Sequence, residues 1–120
     1  MKMQDKIVIN DYIENDTLSE ENLNKTLETV NIFRLSFPNK SIWIYSGYQW
    51  SEIFNDGVYL TKECAGWKRR EIVKQCTIMV DGRYIDSQRN PSKKFAGSDN
   101  QRVISIQESI KQGKVVLYCD

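Results

Sequence analysis

The chain has 120 residues, of which 17 are Lys or Arg, 16 are Asp or Glu and 40% are hydrophobic, and its formal net charge is +1. This composition fits one globular domain with a modest core and argues against disorder. The nearly balanced charge gives no overall field that would attract nucleic acid or a membrane surface. No apolar run is long enough to span a membrane and the polar N-terminus does not read as a signal peptide, so a cytoplasmic location is expected.

Histidine is absent, and the thiols of the sequence are Cys64, Cys76 and Cys119. Without an imidazole, Ser-His-Asp and Cys-His catalysis and the usual nitrogen ligands of metals are excluded. The cysteines are odd in number and form no C-x-x-C pair, so the sequence predicts neither a disulfide framework nor a metal site.

The first half of the chain predicts two strands and two helices. Residues 6–10 (KIVIN) predict a short strand, because Ile7, Val8 and Ile9 are apolar in succession, which is typical of a strand buried on both faces. Residues 17–20 (TLSE) have the spacing of a capping box, and the apolar side chains from residue 23 to residue 37 recur at helical intervals. Residues 41–46 (SIWIYS) predict the second strand, and residues 50–54 a short helix.

The middle of the chain predicts a basic helix and a third strand. The helix covers about residues 61–75 and carries Lys68, Arg69 and Arg70 in succession. Such a run is usually a solvated face, and contact with an acidic partner or with phosphates is the alternative. Residues 77–80 (TIMV) read as a buried strand that stops at Asp81-Gly82.

A long polar loop then leads to the last two predicted elements. Residues 98–100 are good N-cap types, and they predict a helix over about residues 100–111. Residues 114–119 (KVVLYC) predict a fourth strand. The order β-α-β-α-β-α-β predicts an α/β fold, in which a mainly parallel four-stranded sheet has flanking helices and ligands bind where strands end.

Two stretches of this sequence resemble a known family. Residues 81–84 (DGRY), Asn90-Pro91-Ser92 and residues 97–102 (GSDNQR) are similar to the C-terminal part of anaerobic ribonucleoside-triphosphate reductase activating proteins, which are radical S-adenosylmethionine (SAM) enzymes. Residues 46–48 (SGY) match that family's Thr-Gly-Tyr, within a similar strand and turn over residues 37–53. The resemblance implies a partial (β/α) barrel of radical-SAM type, with residues 1–120 forming a single truncated domain.

The resemblance also implies site residues. If SAM is retained, the residues near SAM or the reductase are Ser46, Gly47, Tyr48, Asp81, Gly82, Asn100, Gln101 and Arg102. The family's cluster motif C-x-x-x-C-x-x-C is absent, and its Gly-Gly-Asp-Pro-Leu loop reads Glu14-Asn15-Asp16-Thr17-Leu18. An iron–sulfur cluster needs thiolates at workable spacing, so we expect no cluster, no other cofactor and no catalytic residue.

These observations favour a non-catalytic protein-binding module that acts as a regulator, decoy or inhibitor, encoded by a phage or other mobile element. Its partner would be the anaerobic reductase or a host defence nuclease such as a CRISPR effector. A cut barrel exposes a strand edge, so a homodimer or a partner bound at that edge is expected. The candidate partner-binding residues are Lys68, Arg69, Arg70, Lys93, Lys94 and Phe95.

Two alternatives remain open. The chain could be the C-terminal part of a split glycyl-radical activating enzyme that binds SAM and the anaerobic reductase. Nucleic-acid binding through the basic helix, with Trp67 for stacking, is disfavoured by the near-zero net charge. No membrane partner is expected.

Overall fold

The structure is a computed structural model that describes residues 6–11, 16–54 and 64–119. The elements in these ranges are strand β1 (Lys6–Val8), a 3-10 turn (Ile9–Asp11), helix α1 (Leu23–Ser36), strand β2 (Ser41–Tyr45), helices α2 (Trp50–Ile53) and α3 (Ala65–Lys74), strand β3 (Ile78–Asp81), a second 3-10 turn (Asp86–Gln88), strand β4 (Arg102–Ser105), helix α4 (Ile106–Gln112) and strand β5 (Leu117–Cys119). None of the described helices is long and apolar enough to cross a membrane. The cytoplasmic location stays a prediction.

The strands form one open mixed sheet in the order β1-β2-β3-β4-β5. β1, β2 and β3 run parallel, whereas β4 is antiparallel to β3 and β5 is antiparallel to β4. The predicted α/β class with flanking helices is therefore confirmed. The prediction of a mainly parallel four-stranded sheet is corrected to a five-stranded mixed sheet, and a partial barrel is not confirmed.

The largest correction is at β4, which the sequence predicts as the start of a helix. Val103 pairs with Val80 and Ile104 pairs with Met79, so both β-branched side chains are buried, one on each face of the sheet. Pairing with β3 outweighs the helix signal because β-branched residues pack well in a central strand. The N-cap types at 98–100 belong to a loop, and α4 begins only at Ile106.

The helix boundaries also differ from those predicted. Residues 17–20 form a turn, and α1 begins three residues later at Leu23. The turn is held by Asp16, whose Oδ1 accepts the N–H of Leu18 at 2.9 Å, while the hydroxyl of Thr17 donates to the carbonyl of Tyr45 on β2. Residues 61–63, at the start of the helix predicted over residues 61–75, lie outside the described residues.

The side chains of the sheet separate into two layers, because successive strand residues point to opposite faces. On one face, Ile42, Ile44 and Met79 pack against side chains of the helices, including Val30 and Ile72. The other face forms a smaller cluster of Trp43, Ile78, Val80 and Val103, with Val8, Tyr45, Ala96 and Cys119 at its margin. Helices therefore cover one face of the sheet, and loop residues cover the other.

The ion pair between Asp81 and Arg102 joins the parallel and antiparallel halves of the sheet. Asp81 ends β3 and is 1% exposed, and Arg102 lies opposite it at the start of β4. The guanidinium donates from Nε to Oδ1 at 3.1 Å and from Nη2 to Oδ2 at 2.7 Å. Such bidentate pairs between charged groups are among the strongest hydrogen-bonded contacts in proteins. This bonding raises the pKa of Arg102. Oδ2 also accepts the N–H of Trp50 at 2.9 Å, so the carboxylate holds α2 as well.

We expect Arg102→Met to lower the free energy of unfolding by about 3 kcal/mol, because it leaves the buried Asp81 carboxylate without its counter-charge. Urea denaturation followed by circular dichroism measures the loss. The matched control is Lys74→Met, which breaks the solvent-exposed pair with Glu71 and should cost less than about 0.5 kcal/mol. Equal losses in the two variants would contradict this role for the Asp81 pair.

Candidate functional site

A cleft of about 530 Å³ opens where the parallel strands β2 and β3 end. We call it the strand-end cleft, and its walls include Asp16, Gly47, Tyr48, Arg83 and Asn100. Ligands of α/β proteins usually bind at the carboxyl ends of parallel strands. The position therefore agrees with the expectation drawn from the strand order.

Asp16 fixes one wall of the cleft to the end of β2. Its Oδ1 accepts the hydroxyl of Ser46 at 2.8 Å, and its Oδ2 accepts the N–H of Gly47 at 2.8 Å. A Cβ on residue 47 would lie 3.0 Å from Cγ of Arg83 and 3.2 Å from Oδ2 of Asp16. Residue 47 is therefore a glycine because the carboxylate and the arginine approach its backbone closely.

Arg69 connects the same wall to Tyr48. Its Nε donates to the carbonyl of Leu18 at 2.7 Å, and its Nη2 donates to the hydroxyl of Tyr48 at 2.9 Å. The guanidinium also lies 4.3 Å from the centroid of the Tyr48 ring, which is a cation–π contact. Arg69 thus holds the cleft together from α3.

The opposite wall is a long loop that Asn100 and Gln101 close. The Asn100 amide donates to the carbonyl of Arg83 at 2.7 Å, and the Gln101 amide donates to the carbonyl of Gly82 at 3.1 Å. The Gln101 side-chain oxygen accepts the N–H groups of Gly97 at 2.9 Å and Ser98 at 3.1 Å. Gly82 has φ +91°, a left-handed conformation that favours glycine. These motif residues therefore bond within the loop and hold it in shape.

The structure groups most of the residues that the resemblance implied. Gly47, Tyr48 and Asn100 line the strand-end cleft, and Ser46, Gly47, Gly82 and Gln101 line an adjoining cleft of about 300 Å³. The other two residues, Asp81 and Arg102, border a separate cleft of about 350 Å³ beside Trp50. Contact of any of them with SAM or a reductase stays a prediction.

The basic run on α3 is bonded to neighbouring elements. Lys68 donates from Nζ to the side chain of Asn24 at 2.8 Å, and Arg70 donates from Nε to the carbonyl of Ile53 at 3.2 Å. Together with Arg69, these contacts show that the run connects α3 to its surroundings. The proposed partner contacts of Lys68, Arg69 and Arg70 stay predictions.

The remaining candidate partner residues lie on the long loop. Lys93 donates from Nζ to the carbonyl of Asp99 at 2.9 Å, whereas Lys94 and Phe95 are exposed. Phe95 packs against Trp43, which belongs to the sheet face opposite the helices. The structure therefore does not bring the α3 residues and the loop residues into one surface.

Sequence reasoning missed Arg83 and Glu52 as lining residues of the strand-end cleft. Glu52 accepts the N–H of Gln49 at 3.0 Å and caps α2, so the Gln-x-x-Glu spacing was a usable signal. Arg83 occupies the Lys/Arg position of the DGRY motif. The motif identified this residue but did not predict where its side chain lies.

The three cysteines occupy separate positions. The sulfur of Cys64 accepts the N–H of Trp67 at the start of α3, and Cys76 follows the end of that helix. Ten helical residues separate their backbones by about 15 Å. Cys76 is buried, which raises the pKa of its thiol to about 12, and Cys119 lies on the other face of the sheet. No group of three potential metal-ligating acidic, cysteine or histidine side chains occurs among the described residues.

Comparison with known proteins gives a family match and several relatives. A family model described as a 4Fe-4S single cluster domain matches residues 15–104. An anaerobic ribonucleoside-triphosphate reductase-activating protein of Enterobacteria phage T4 is 29% identical over 96 residues, which are 79% of this chain and 51% of the relative. The protein of the same name from Escherichia coli K12 is 27% identical over 88 residues, which are 73% of this chain and 49% of the relative. No solved structure matches the chain.

The match with the family model contains the strand-end cleft and the loop that Asn100 and Gln101 close. The chain spans about half the length of the curated relatives that it matches. The resemblance based on residues 46–48 and 81–102 is confirmed. The chain therefore belongs to the 4Fe-4S single cluster domain family, and it is related to the anaerobic ribonucleoside-triphosphate reductase-activating proteins.

Proposed function

We propose that this chain is a non-catalytic protein-binding module that regulates or inhibits an anaerobic ribonucleoside-triphosphate reductase, the enzyme after which its relatives are named. The observation that carries the proposal is a contrast within the molecule. Asp16, Asp81 and Gln101 hold the strand ends together by hydrogen bonds, whereas the three thiols lie on separate elements. A partner that recognises the shared scaffold could thus bind it without being activated.

The residues present do not fit the cluster that the family description names. A 4Fe-4S cluster needs several thiolates around one centre. Cys64 precedes α3, Cys76 follows that helix on the helix-side face of the sheet, and Cys119 lies on the other face, so the three sulfurs do not surround one centre. No electron-transfer step is assigned to this chain.

The surface proposed for the reductase follows β3. Arg83, Tyr84 and Ile85 are three successive exposed residues, and the last two are large apolar side chains. The Asn100 amide fixes the carbonyl of Arg83, and the hydroxyl of Ser98 accepts the N–H of Ile85 at 3.2 Å. A rigid apolar projection is favourable for binding because little freedom is lost on association.

We expect the purified chain to bind the anaerobic reductase, and Ile85→Asp to weaken this binding about tenfold, or about 1.4 kcal/mol, because a charge replaces an apolar contact. Biolayer interferometry with immobilised reductase measures the affinity. Ile32→Asp is the matched control, since Ile32 is exposed on α1 and should leave the affinity unchanged. Absence of binding, or equal weakening by the two variants, would refute the proposed surface.

Incubation with iron and sulfide under anaerobic conditions should leave the protein colourless, because its thiols do not converge. Absorption spectroscopy and acid-labile sulfide analysis give the readout. Brief alkylation before unfolding should modify Cys64 and Cys119 while sparing the buried Cys76. Brown protein with bound sulfide would show that the assignment of a cluster-free module is wrong.

The second candidate function is that of a split activating enzyme that binds SAM. It is favoured by Asp16, which occupies the Asp position of the family's Gly-Gly-Asp-Pro-Leu loop and borders a cleft of ligand size. The carboxylate of Asp16 and the guanidinium of Arg83 supply opposite charges to that cleft, as a zwitterionic amino-acid group requires.

Isothermal titration with SAM separates the two candidates. A non-catalytic module should give no saturable heat. Heat that saturates at micromolar SAM, and that Arg83→Ala reduces, would support the split enzyme in its place. Arg83 is suited to this test because its side chain is exposed, so its removal should not unfold the chain.

Pairing through the sheet edge, as a homodimer or with a partner, remains a further proposal. β1 and β5 are the outer strands of the described sheet, and each has three residues. β1 carries Lys6 and β5 carries a register irregularity, both of which are features that disfavour edge pairing. No contact among the described residues favours a defence nuclease over the reductase as the partner.

A further inference from the structure

An aromatic cluster lies on the sheet face opposite the helices. Its centre is Trp43 of β2, which is 1% exposed. The ring of Phe95 packs against the indole at 4.8 Å and 62°, and the ring of Tyr118 packs against it at 5.6 Å and 81°. The ammonium of Lys6 lies 3.9 Å from the centroid of the Trp43 ring and 5.2 Å from that of Phe95. The ammonium therefore lies beside the rings of Trp43 and Phe95, while Tyr118 packs against Trp43.

Two irregularities of the backbone place the rings of Phe95 and Tyr118 against Trp43. Phe95 has φ +68°, and it is the one non-glycine residue with a positive φ in the described part of the chain. Such a conformation is costly for a bulky side chain and often marks a functional position. On β5, Cys119 pairs with Val103 and Leu117 pairs with Ile104, so Tyr118 is the extra residue of a bulge. A bulge re-aims a side chain, and here it lets Tyr118 reach Trp43.

The indole N–H of Trp43 supplies an independent observation. Among the described residues, Nε1 of Trp43 is the one buried side-chain nitrogen or oxygen without a hydrogen-bond partner. Phenylalanine or leucine would fill an apolar core without this penalty. Among aromatic side chains, tryptophan attracts cations most strongly. Contact of an ammonium with the indole face therefore explains why residue 43 is a tryptophan.

We propose that Trp43 and Phe95, with Tyr118 packed behind them, form an aromatic cage that binds the ammonium of a lysine or methylated lysine side chain from a partner, with Lys6 as the internal occupant. Recognition of alkylated ammonium by several aromatic faces is favourable because such cations are weakly hydrated and polarise the rings. Phe95 is 42% exposed, so this wall of the cage is open to an incoming side chain. This proposal does not depend on the identity of the reductase as partner.

Lys6 should compete with any external ligand. A tethered group acts at an effective concentration that is roughly millimolar for a short connection. Removal of its ammonium frees the face of Trp43 without touching the helix-side core. The Lys6→Ala variant should therefore bind an external ammonium more tightly than the unaltered chain does.

The test is a titration of the chain and of its Lys6→Ala variant with trimethyllysine, followed by the indole N–H signals of Trp43, Trp50 and Trp67 in nitrogen-15 NMR spectra. We expect a saturable shift confined to Trp43, with an affinity at least about threefold higher in the variant than in the unaltered chain. Sodium chloride at matched ionic strength should not produce this shift.

Phe95→Gly in the Lys6→Ala background should lower the affinity about fivefold or more, since it removes one wall of the cage. Glycine accepts the positive φ, so this variant keeps the fold. Leu117→Ala is the control on β5, because Leu117 is exposed and pairs with Ile104, whose side chain lies on the opposite face of the sheet from Trp43. A Lys6→Ala variant without a saturable shift at Trp43, or one whose affinity is unchanged by Phe95→Gly, would overturn the proposal.

Discussion

The carboxylate of Asp81 is the group on which the strand ends depend. It lies in the interior at the end of the central strand β3, where water cannot solvate its charge, and it therefore needs Arg102 and the N–H of Trp50. The pair fixes β3 to the antiparallel β4 and places α2 beside them. Directly after it, the N–H of Gly82 donates to the carbonyl of Tyr48, so the loops that follow β2 and β3 are joined at the next residue.

This arrangement gives a physical meaning to the motif that relates the chain to the activating proteins. Asn100, Gln101 and Arg102 each bond to the backbone or carboxylate at the end of β3. Their side chains therefore shape the long loop through bonds within the chain itself. A sequence can therefore retain the motif for its fold while its thiols lie on separate elements, and the proposed binding to a partner rests on this contrast.

Much of the parallel half could be predicted from the sequence, because β2 and β3 are short apolar runs and Gly47 and Gly82 follow them at once. β4 could not be predicted, because the spacing of Val103 and Ile104 fits a helix as well as a strand buried on both faces. Only the pairing with β3 decides between the two structures. The aromatic cage could not be predicted from the sequence either, because it depends on a left-handed φ at Phe95 and on a bulge at Tyr118.

We propose that the chain binds the reductase without activating it. The most direct measurement is the rate of deoxynucleotide formation by the anaerobic reductase, activated by a full-length activating protein in the presence of increasing amounts of this chain. Our account predicts that the rate falls in a saturable manner and that the chain alone gives no activity. An unchanged or increased rate, or activation by the chain together with SAM and a reductant, would contradict it.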